Sequence, residues 1–457
     1  MNISARIQSF RERLGPLWWY TILFFIAMRV GDLFNFYLGA FYLPRALQPG
    51  ELGTVEPITR LVALGSLPLA VLCTVGTKYV NTYMATGAAG RLKHLVRDFG
   101  VLGIVASIVF PAILLLTYKG IALRLALADP YILPSMMGLA VLACWQPLLS
   151  IIFQGAQRFR ASVTVSLLTV FLRVALVLIL VPVMHLSGYF NATFISGLIS
   201  IVVGLWFVKD MVSRRITMES YYPDLQAMSR FAIPVACYMI AVAVQGFIEP
   251  FIIKQRLPVM DAAGYYIVCR FAFIPAYFAN SINYVLFPLM SHQHERGERS
   301  HAYLGQTLAV GMVISLAVAL VIGLGAGWLF DLRSDWRAYQ SYTPFALRIA
   351  ITAAADAVIS IYAMNEIACR RFRFVIPVAI VTVVEGAMLY GSFGWGVFQT
   401  VVPAGLWRAV ADHVPNTLNY CINIFILARV VLIVALIWQW TRNRTRIAIS
   451  SSPVSVV

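Results

Sequence analysis

Residues 174–181 read VALVLILV and residues 314–322 read ISLAVALVI, and these two runs decide the fold class. Neither run alternates apolar and polar residues, as a strand of a membrane β-barrel would. Each lies in a longer apolar window, and a helix needs about 20 such residues to cross a hydrocarbon core of roughly 30 Å. These runs therefore predict membrane-spanning α-helices.

The composition extends this prediction to the whole chain. Of its 457 residues, 60% are hydrophobic and only 12% are charged, and the mean hydropathy is +0.81. A water-soluble fold could not bury so much apolar surface. We expect an all-α integral membrane protein of about twelve transmembrane helices with no soluble domain of its own. The predicted spans are 17–43, 54–83, 96–121, 130–155, 161–184, 188–210, 230–253, 262–290, 304–330, 340–367, 374–398 and 416–440.

The basic residues indicate how the chain crosses the membrane. The formal net charge is +16, but the Lys and Arg residues concentrate in alternate breaks between spans, which is a topological pattern and not a nucleic-acid surface. Because cytoplasmic loops retain positive charge, both termini are predicted to be cytoplasmic, which requires an even number of spans. The basic breaks are 6–13, 91–97, 158–160, 209–215, 296–299, 370–373 and 442–446.

Two short patterns recur and indicate an internal repeat. Arg-Phe-Arg stands at 158–160 after the fourth span and at 371–373 after the tenth. Arg45 precedes Gly53 by the same interval at which Arg256 precedes Gly264. Since six spans return the chain to the side on which it began, the halves would be parallel repeats. We predict an N-terminal lobe of residues 1–215 and a C-terminal lobe of residues 216–457, each with six helices.

Ionisable side chains inside spans are costly, by about 2.5–3.5 kcal/mol each on insertion scales, so each needs a partner, water or a function. Arg29 and Asp32 are three residues apart, and Arg60 follows Glu56 at the favoured acid-first spacing of four. Each pair can neutralise itself within one helix. Two interpretations stay open, a local ion pair and a part in substrate or ion binding.

Four further arginines have no acidic residue at neighbouring helical spacing. If they line a cavity between the lobes, their guanidinium groups would suit a phosphate or pyrophosphate, which accepts forked hydrogen bonds. The alternative is pairing between helices with Glu249, Asp356 or Glu385. The candidate cationic cavity consists of these four arginines together with Arg29 and Arg60. The four are Arg173, Arg270, Arg348 and Arg429.

Three acidic residues at mid-depth, Asp32, Asp356 and Glu385, are candidates for binding a coupling proton or sodium ion. The sequence contains no phosphate-binding loop of the form GxxxxGK[ST], so ATP hydrolysis by this chain is not expected. Its cysteines lie singly in apolar spans without metal-ligand spacing. We expect no metal centre, no catalytic residue and no cofactor beyond a coupling ion.

The chain resembles the polysaccharide flippases of the multidrug, oligosaccharidyl-lipid and polysaccharide (MOP) exporter superfamily. The resemblance rests on residues 47–53 (LQPGELG), 153–159 (FQGAQRF) and 263–266 (AGYY) leading to 285–288 (VLFP). It implies a MATE-like fold and transport of undecaprenyl-diphosphate-linked oligosaccharides across the bacterial cytoplasmic membrane for O-antigen or exopolysaccharide assembly. The implied partners are membrane lipids, the lipid-linked oligosaccharide and other polysaccharide-assembly membrane proteins, and not nucleic acid.

Two other functions are compatible with many helices. A multidrug exporter of the same fold would rely more on acidic and apolar residues, which the excess of arginine disfavours. A polysaccharide polymerase or ligase resembles other such enzymes in having a large external loop with catalytic residues. The longest external breaks predicted here, 122–129 and 398–415, are short, so we expect a protein that is not an enzyme.

Overall fold

The computed structural model describes residues 29–127, 129–156, 158–209, 217–276, 301–332, 334–369, 371–392 and 418–450. Throughout these residues the chain is helical, with loops and no strand. The chain forms two compact units, Met1–Met239 and Ile240–Val457. The boundary between them lies inside a helix, whereas the predicted division between residues 215 and 216 stays a prediction.

The first unit begins with helical residues 29–36, a π-helical segment Tyr37–Tyr42 and a short helix Leu43–Ala46. Five longer helices follow: α1 (Pro49–Gly65), α2 (Leu67–Ala85), α3 (Ala89–Leu125), α4 (Ile132–Gly155) and α5 (Phe159–Val208). Helix α6 (Leu225–Arg256) starts in this unit and ends in the second.

The second unit continues with α7 (Val259–Ala272), α8 (His301–Asp331), α9 (Thr343–Ala368), α10 (Val375–Ser392) and α11 (Leu418–Ser450). Short helical segments at Ser334–Arg337 and Gln340–Tyr342 connect α8 to α9. Phe271, Phe330 and Trp336 bury their rings against one another beside this connection.

Large apolar side chains cover the outer faces of several helices. Leu116 on α3, Val183 on α5 and Leu324 on α8 are 84%, 77% and 77% exposed. Water-soluble proteins rarely expose such continuous apolar faces, so these faces meet lipid. Among the described residues, seven helices are long and apolar enough to span a membrane, or eight with the bent pair α1 and α2. The protein is therefore a multi-pass membrane protein.

The predicted total of twelve spans stays a prediction. Parts of five predicted spans lie outside the described residues: 17–43, 188–210, 262–290, 374–398 and 416–440.

The second predicted span, 54–83, consists of two helices, α1 and α2, which together form one bent candidate span. Helix α1 begins at Pro49, where a missing N–H costs nothing, and the Glu51 carboxylate accepts a hydrogen bond from the Gln48 N–H. It ends at Gly65, and α2 begins at Leu67 at an angle of 56° to α1. Pro68 has no N–H to donate to a preceding turn, which explains why the helix breaks here.

Helix α5 is a hairpin of two spans. As one straight helix its 50 residues would measure about 75 Å, far more than a bilayer core. At His185 the backbone leaves the helical region, with φ 50° and ψ −125°. A Cβ atom on Gly188 would lie 2.4 Å from the carbonyl oxygen of Leu180, eight residues earlier. The chain therefore doubles back, which confirms the predicted break between spans 161–184 and 188–210.

The same turn follows α4 and α9, as the Arg-Phe-Arg repeat predicts. The backbone N–H of Arg158 donates to the Phe153 carbonyl at 2.8 Å, and that of Arg371 donates to the Glu366 carbonyl at 2.7 Å. The two donors are 213 residues apart along the chain (371 − 158), and so are the two acceptors (366 − 153). The starts of α1 and α7 are 210 residues apart (259 − 49), one fewer than the Gly53 and Gly264 pairing gave.

Residues 217–224 form a strap over the ends of α2 and α3. Arg91 at the start of α3 donates to the Glu219 carboxylate at 2.9 Å, and the Tyr83 hydroxyl of α2 donates to Asp224 at 2.6 Å. The chains come so close that a Cβ on Gly90 would lie 2.7 Å from the Thr217 carbonyl oxygen. The strap thus fixes the start of α6 within the first unit.

The Tyr221 hydroxyl of the strap donates to the Asp98 carboxylate of α3 at 3.0 Å. Burial, and then this hydrogen bond, raise the pKa of Tyr221 to about 12. The phenol therefore stays protonated and remains a donor at physiological pH.

Candidate ion-coupling site and intramembrane arginines

Four helices of the second unit bring five polar side chains together in the apolar interior. We call this group the charge cluster: Gln245 and Glu249 on α6, Asp356 on α9, Glu385 on α10 and Arg429 on α11. Each helix is strongly apolar around its polar residue, so the apolar face positions the helix and carries the polar group inward with it.

Arg429 is the centre of the cluster and donates to all three carboxylates. Its Nε donates to Asp356 Oδ1 at 3.0 Å, and its Nη2 approaches Asp356 Oδ2 at 3.4 Å. Its Nη1 donates to Glu385, and its Nη2 also donates to Glu249. Gln245 Nε2 donates to the second carboxylate oxygen of Glu385.

The cluster has an excess of negative charge. Three carboxylates surround one guanidinium group, which leaves a formal charge of −2 when all are ionised. The side chains of Glu385, Arg429 and Glu249 are only 2%, 5% and 9% exposed. Removing each ion from water costs several kcal/mol, which one guanidinium cannot offset for three carboxylates. A proton or small cation would stabilise the group.

The three carboxyl groups are not equivalent. Both oxygens of Glu385 and both oxygens of Asp356 accept hydrogen bonds. Among the described residues, Glu249 accepts a hydrogen bond only through Oε1, so its other oxygen is available for a proton. The side chain of Asp356 is 39% exposed, so Asp356 is the member of the cluster that reaches the surface of the unit.

The structure therefore brings together Asp356, Glu385 and Arg429, which the sequence assigned to two separate roles. For Arg429, the alternative of pairing between helices is the observed arrangement. Because its donors face carboxylates, Arg429 is not presented to a phosphate here, and its role in substrate binding stays a prediction.

Sequence reasoning treated Glu249 only as a pairing partner and passed over Gln245. The signal for Glu249 was present, since it is an acidic residue in an apolar span.

The local pairs of the first unit are present. Arg29 Nη2 lies 2.9 Å from Asp32 Oδ2, and both side chains are half-buried. Arg60 Nε donates to Glu56 Oε1 at 2.8 Å, with Arg60 exposed. Arg29, Asp32 and Arg60 take no part in the charge cluster.

Arg173 lies on the first arm of the α5 hairpin. Its Nε atom is buried and has no hydrogen-bond partner among the described residues.

Two arginines of the second unit contact aromatic rings. The Arg270 guanidinium lies 4.6 Å from the centre of the Tyr266 ring, and that of Arg348 lies 5.6 Å from the centre of the Phe345 ring. Arg348 also donates through Nη1 to Asn419, and to Asn423 at 3.5 Å. Neither arginine belongs to the charge cluster. The structure thus separates the predicted cationic set into local pairs, a buried cluster and partly exposed groups.

The described residues contain no group of three His, Cys, Asp or Glu side chains spaced to hold a metal ion. In the charge cluster the guanidinium of Arg429 occupies the position between the carboxylates. The cluster is thus better suited to gaining and losing a proton than to enclosing a metal ion.

The fold is similar to that of two solved transporters. A multidrug resistance MATE family transporter of the MOP superfamily in an inward-facing conformation matches with a TM-score of 0.65 at 14% identity, covering 94% of this chain and 99% of that one. A MOP superfamily transporter from Pyrococcus furiosus, described as having a binding pocket of reversed polarity, matches with a TM-score of 0.60 at 13% identity, covering 92% and 94%. These likenesses define the fold as that of a MOP-type transporter.

Residues 72–294 match the family model described as polysaccharide biosynthesis protein. With the fold, this match confirms the resemblance to the polysaccharide flippases of the MOP superfamily. No curated protein sequence matches this chain significantly.

Proposed function

We propose that the protein is a proton-coupled flippase that moves undecaprenyl-diphosphate-linked oligosaccharide across the bacterial cytoplasmic membrane by alternating access. The observation that supports this substrate is the polysaccharide biosynthesis match over residues 72–294 on a MOP-type fold. Polysaccharide biosynthesis needs a membrane protein that moves lipid-linked glycan across the membrane. We further propose that both termini are cytoplasmic and that the protein works beside other polysaccharide-assembly membrane proteins, without an organic cofactor.

The charge cluster supplies a means of coupling. A proton on Glu249 lowers the negative excess and weakens the attraction between α6 and the guanidinium of α11. Loss of this proton restores the attraction. Since Glu249 lies on α6 and its partner on α11, the protonation state alters which helix arrangement is more stable. Asp356, which is partly exposed, is the route by which a proton enters and leaves.

The test is translocation of a fluorescent undecaprenyl-diphosphate oligosaccharide by the purified protein in liposomes. Identical liposomes receive a pH gradient, a sodium gradient or no gradient. We expect translocation that responds to the pH gradient and not to sodium. A response to sodium alone would contradict proton coupling, and movement of no lipid-linked glycan would contradict the flippase.

A second function, export of cationic drugs, is favoured by one observation. The charge cluster is acidic overall, and acidic interior groups suit cationic substrates. The same liposomes loaded with a cationic dye separate the two functions. Dye efflux without translocation of lipid-linked glycan would establish the exporter.

A further inference from the structure

Arg348, Asn419 and Asn423 form a second polar site, which we call the donor patch. Arg348 lies in the first two turns of α9, and the two asparagines lie one helical turn apart on α11. Both asparagines are exposed and Arg348 is partly exposed, on helices that are otherwise apolar enough to span the membrane. Polar groups at such positions are costly unless they meet water or a ligand.

The hydrogen bonds within the patch fix the orientation of both carboxamides. A guanidinium has donors and no acceptor, so each asparagine must turn its Oδ1 toward Arg348. Arg348 Nη1 donates to Asn419 Oδ1 and, at 3.5 Å, to Asn423 Oδ1. The Nδ2 groups of both asparagines are then left to donate.

The donors of Arg348 are also largely unused. In the described structure its Nε and Nη2 atoms make no hydrogen bond, and the Phe345 ring lies 5.6 Å from the guanidinium carbon. Apart from the remaining lone pair of each Oδ1, the groups that the patch offers a ligand are therefore N–H donors, and one of them carries a positive charge. An oxyanion accepts strongly from several such donors at once, whereas a neutral sugar hydroxyl accepts more weakly and a cation would be repelled.

We propose that the donor patch binds an oxyanion of the transported molecule and that Asn419 and Asn423 determine its specificity. This inference rests on the proposed function for the identity of the molecule. The oxyanion is either a phosphate of the diphosphate linkage or the carboxylate of an acidic sugar, since both present oxygen acceptors to two amides and a guanidinium.

Replacing Asn419 or Asn423 with Asp is the sharpest test. Asp keeps the oxygen that accepts from Arg348, so it preserves that contact and the helix packing. It removes the Nδ2 donors and adds a negative charge beside the ligand. The matched control is Gln226→Glu, which makes the same change of charge at an exposed position on α6, in the first unit.

The measurement is calorimetric binding of inorganic pyrophosphate and of galacturonate to the full chain in lipid nanodiscs, with glucose as a neutral probe. We expect the wild-type chain and the Gln226→Glu variant to bind at least one oxyanion and not glucose. Each Asn→Asp variant should weaken that binding at least about tenfold, the loss expected for one charge-assisted hydrogen bond. Preference for pyrophosphate identifies the diphosphate linkage, and preference for galacturonate identifies an acidic sugar.

Oxyanion binding that is equal in the wild-type chain and the Asn→Asp variants would overturn the donor patch, as would wild-type binding of glucose alone. The proposed function fails separately. If lipid-linked glycan is not moved but oxyanion binding is still lost in the variants, the donor patch stands and the flippase does not. If the glycan is moved equally well by the Asn→Asp variants, the flippase stands and the donor patch fails.

Discussion

The C-terminal unit contains a buried charge cluster, whereas the positions of the N-terminal unit that correspond to its three carboxylates are uncharged. An offset of 213 residues relates the turns after α4 and α9. By this offset, the counterparts of Asp356 and Glu385 in the repeat are Ala143 and Leu172 (356 − 213 and 385 − 213). An offset of 210 residues relates the starts of α1 and α7. By this offset, the counterpart of Glu249 in the repeat is Gly39 (249 − 210). The two halves thus share backbone turns and differ in charge at these three positions.

The ion pairs of the two units also differ in how far apart their members lie along the chain. Arg29 pairs with Asp32 and Arg60 with Glu56 inside one helix. Arg429 instead joins carboxylates that are 180, 73 and 44 residues away along the chain. A repeated scaffold can therefore keep its turns while one half alone acquires charges that depend on how helices are arranged. Three measurements would test this difference.

The largest effect is expected for Arg429→Ala. The change leaves three carboxylates near one another without a guanidinium, and breaking a buried ion pair in this way costs about 3–5 kcal/mol. Thermal unfolding in detergent should show a large loss of stability. Arg60→Ala removes the exposed partner of a local pair in the other unit and should cost at most about 1 kcal/mol.

Adding Glu385→Gln to Arg429→Ala should restore part of the loss, since it removes one of the unpaired charges. Equal destabilisation by Arg429→Ala and Arg60→Ala would show that the two units do not differ in this respect.

The next largest effect is expected on the coupling of transport to a pH gradient. Glu249→Gln mimics the protonated carboxyl permanently and keeps an oxygen that can accept from Arg429. Transport by this variant should no longer respond to a pH gradient. In the wild type, one coupled proton supports at most about a tenfold ratio of substrate concentrations across the membrane per pH unit.

The control for this prediction is Asp331→Asn, at the exposed end of α8, which should retain the response. Gradient-driven transport by Glu249→Gln at the wild-type level would remove Glu249 from the coupling mechanism.

The smallest effect is expected in the N-terminal unit, at the strap. Tyr221→Phe removes the hydrogen bond to Asp98 and should cost about 1 kcal/mol at pH 7. Because the folded pKa of Tyr221 is raised to about 12, above the usual value of about 10, its contribution is complete below pH 10 and is lost as the pH rises through 12. Unfolding measured from pH 7 to 12 should therefore show the difference from the wild type vanish.

Tyr222→Phe is the matched control, because Tyr222 is exposed and its hydroxyl makes no hydrogen bond in the described structure. A Tyr221→Phe variant whose deficit persists at pH 12 would mean that the ring, and not the hydroxyl, supports the strap.

The sequence predicted what depends on local spacing. Apolar length located most spans, the intervals of three and four residues located both local ion pairs, and Arg-Phe-Arg located the repeated turn. For contacts between helices it gave only an alternative, pairing of the arginines with Glu249, Asp356 or Glu385, and did not identify which residues meet. Nothing in the spacing of Arg429 indicates that it joins three carboxylates, because the angles between four helices decide this. Asn419 and Asn423 were missed because neutral side chains do not stand out in an apolar span.

The strap also bears on how the chain could be divided. Its contacts with α2 and α3 belong to residues 217–224. Two separately expressed fragments, 1–209 and 217–457, would therefore each retain one side of a ready-made recognition surface. One fragment would contribute Arg91, Tyr83 and Asp98, which would bind Glu219, Asp224 and Tyr221 of the other, respectively. These contacts would help the two fragments of a split protein to reassemble in the membrane.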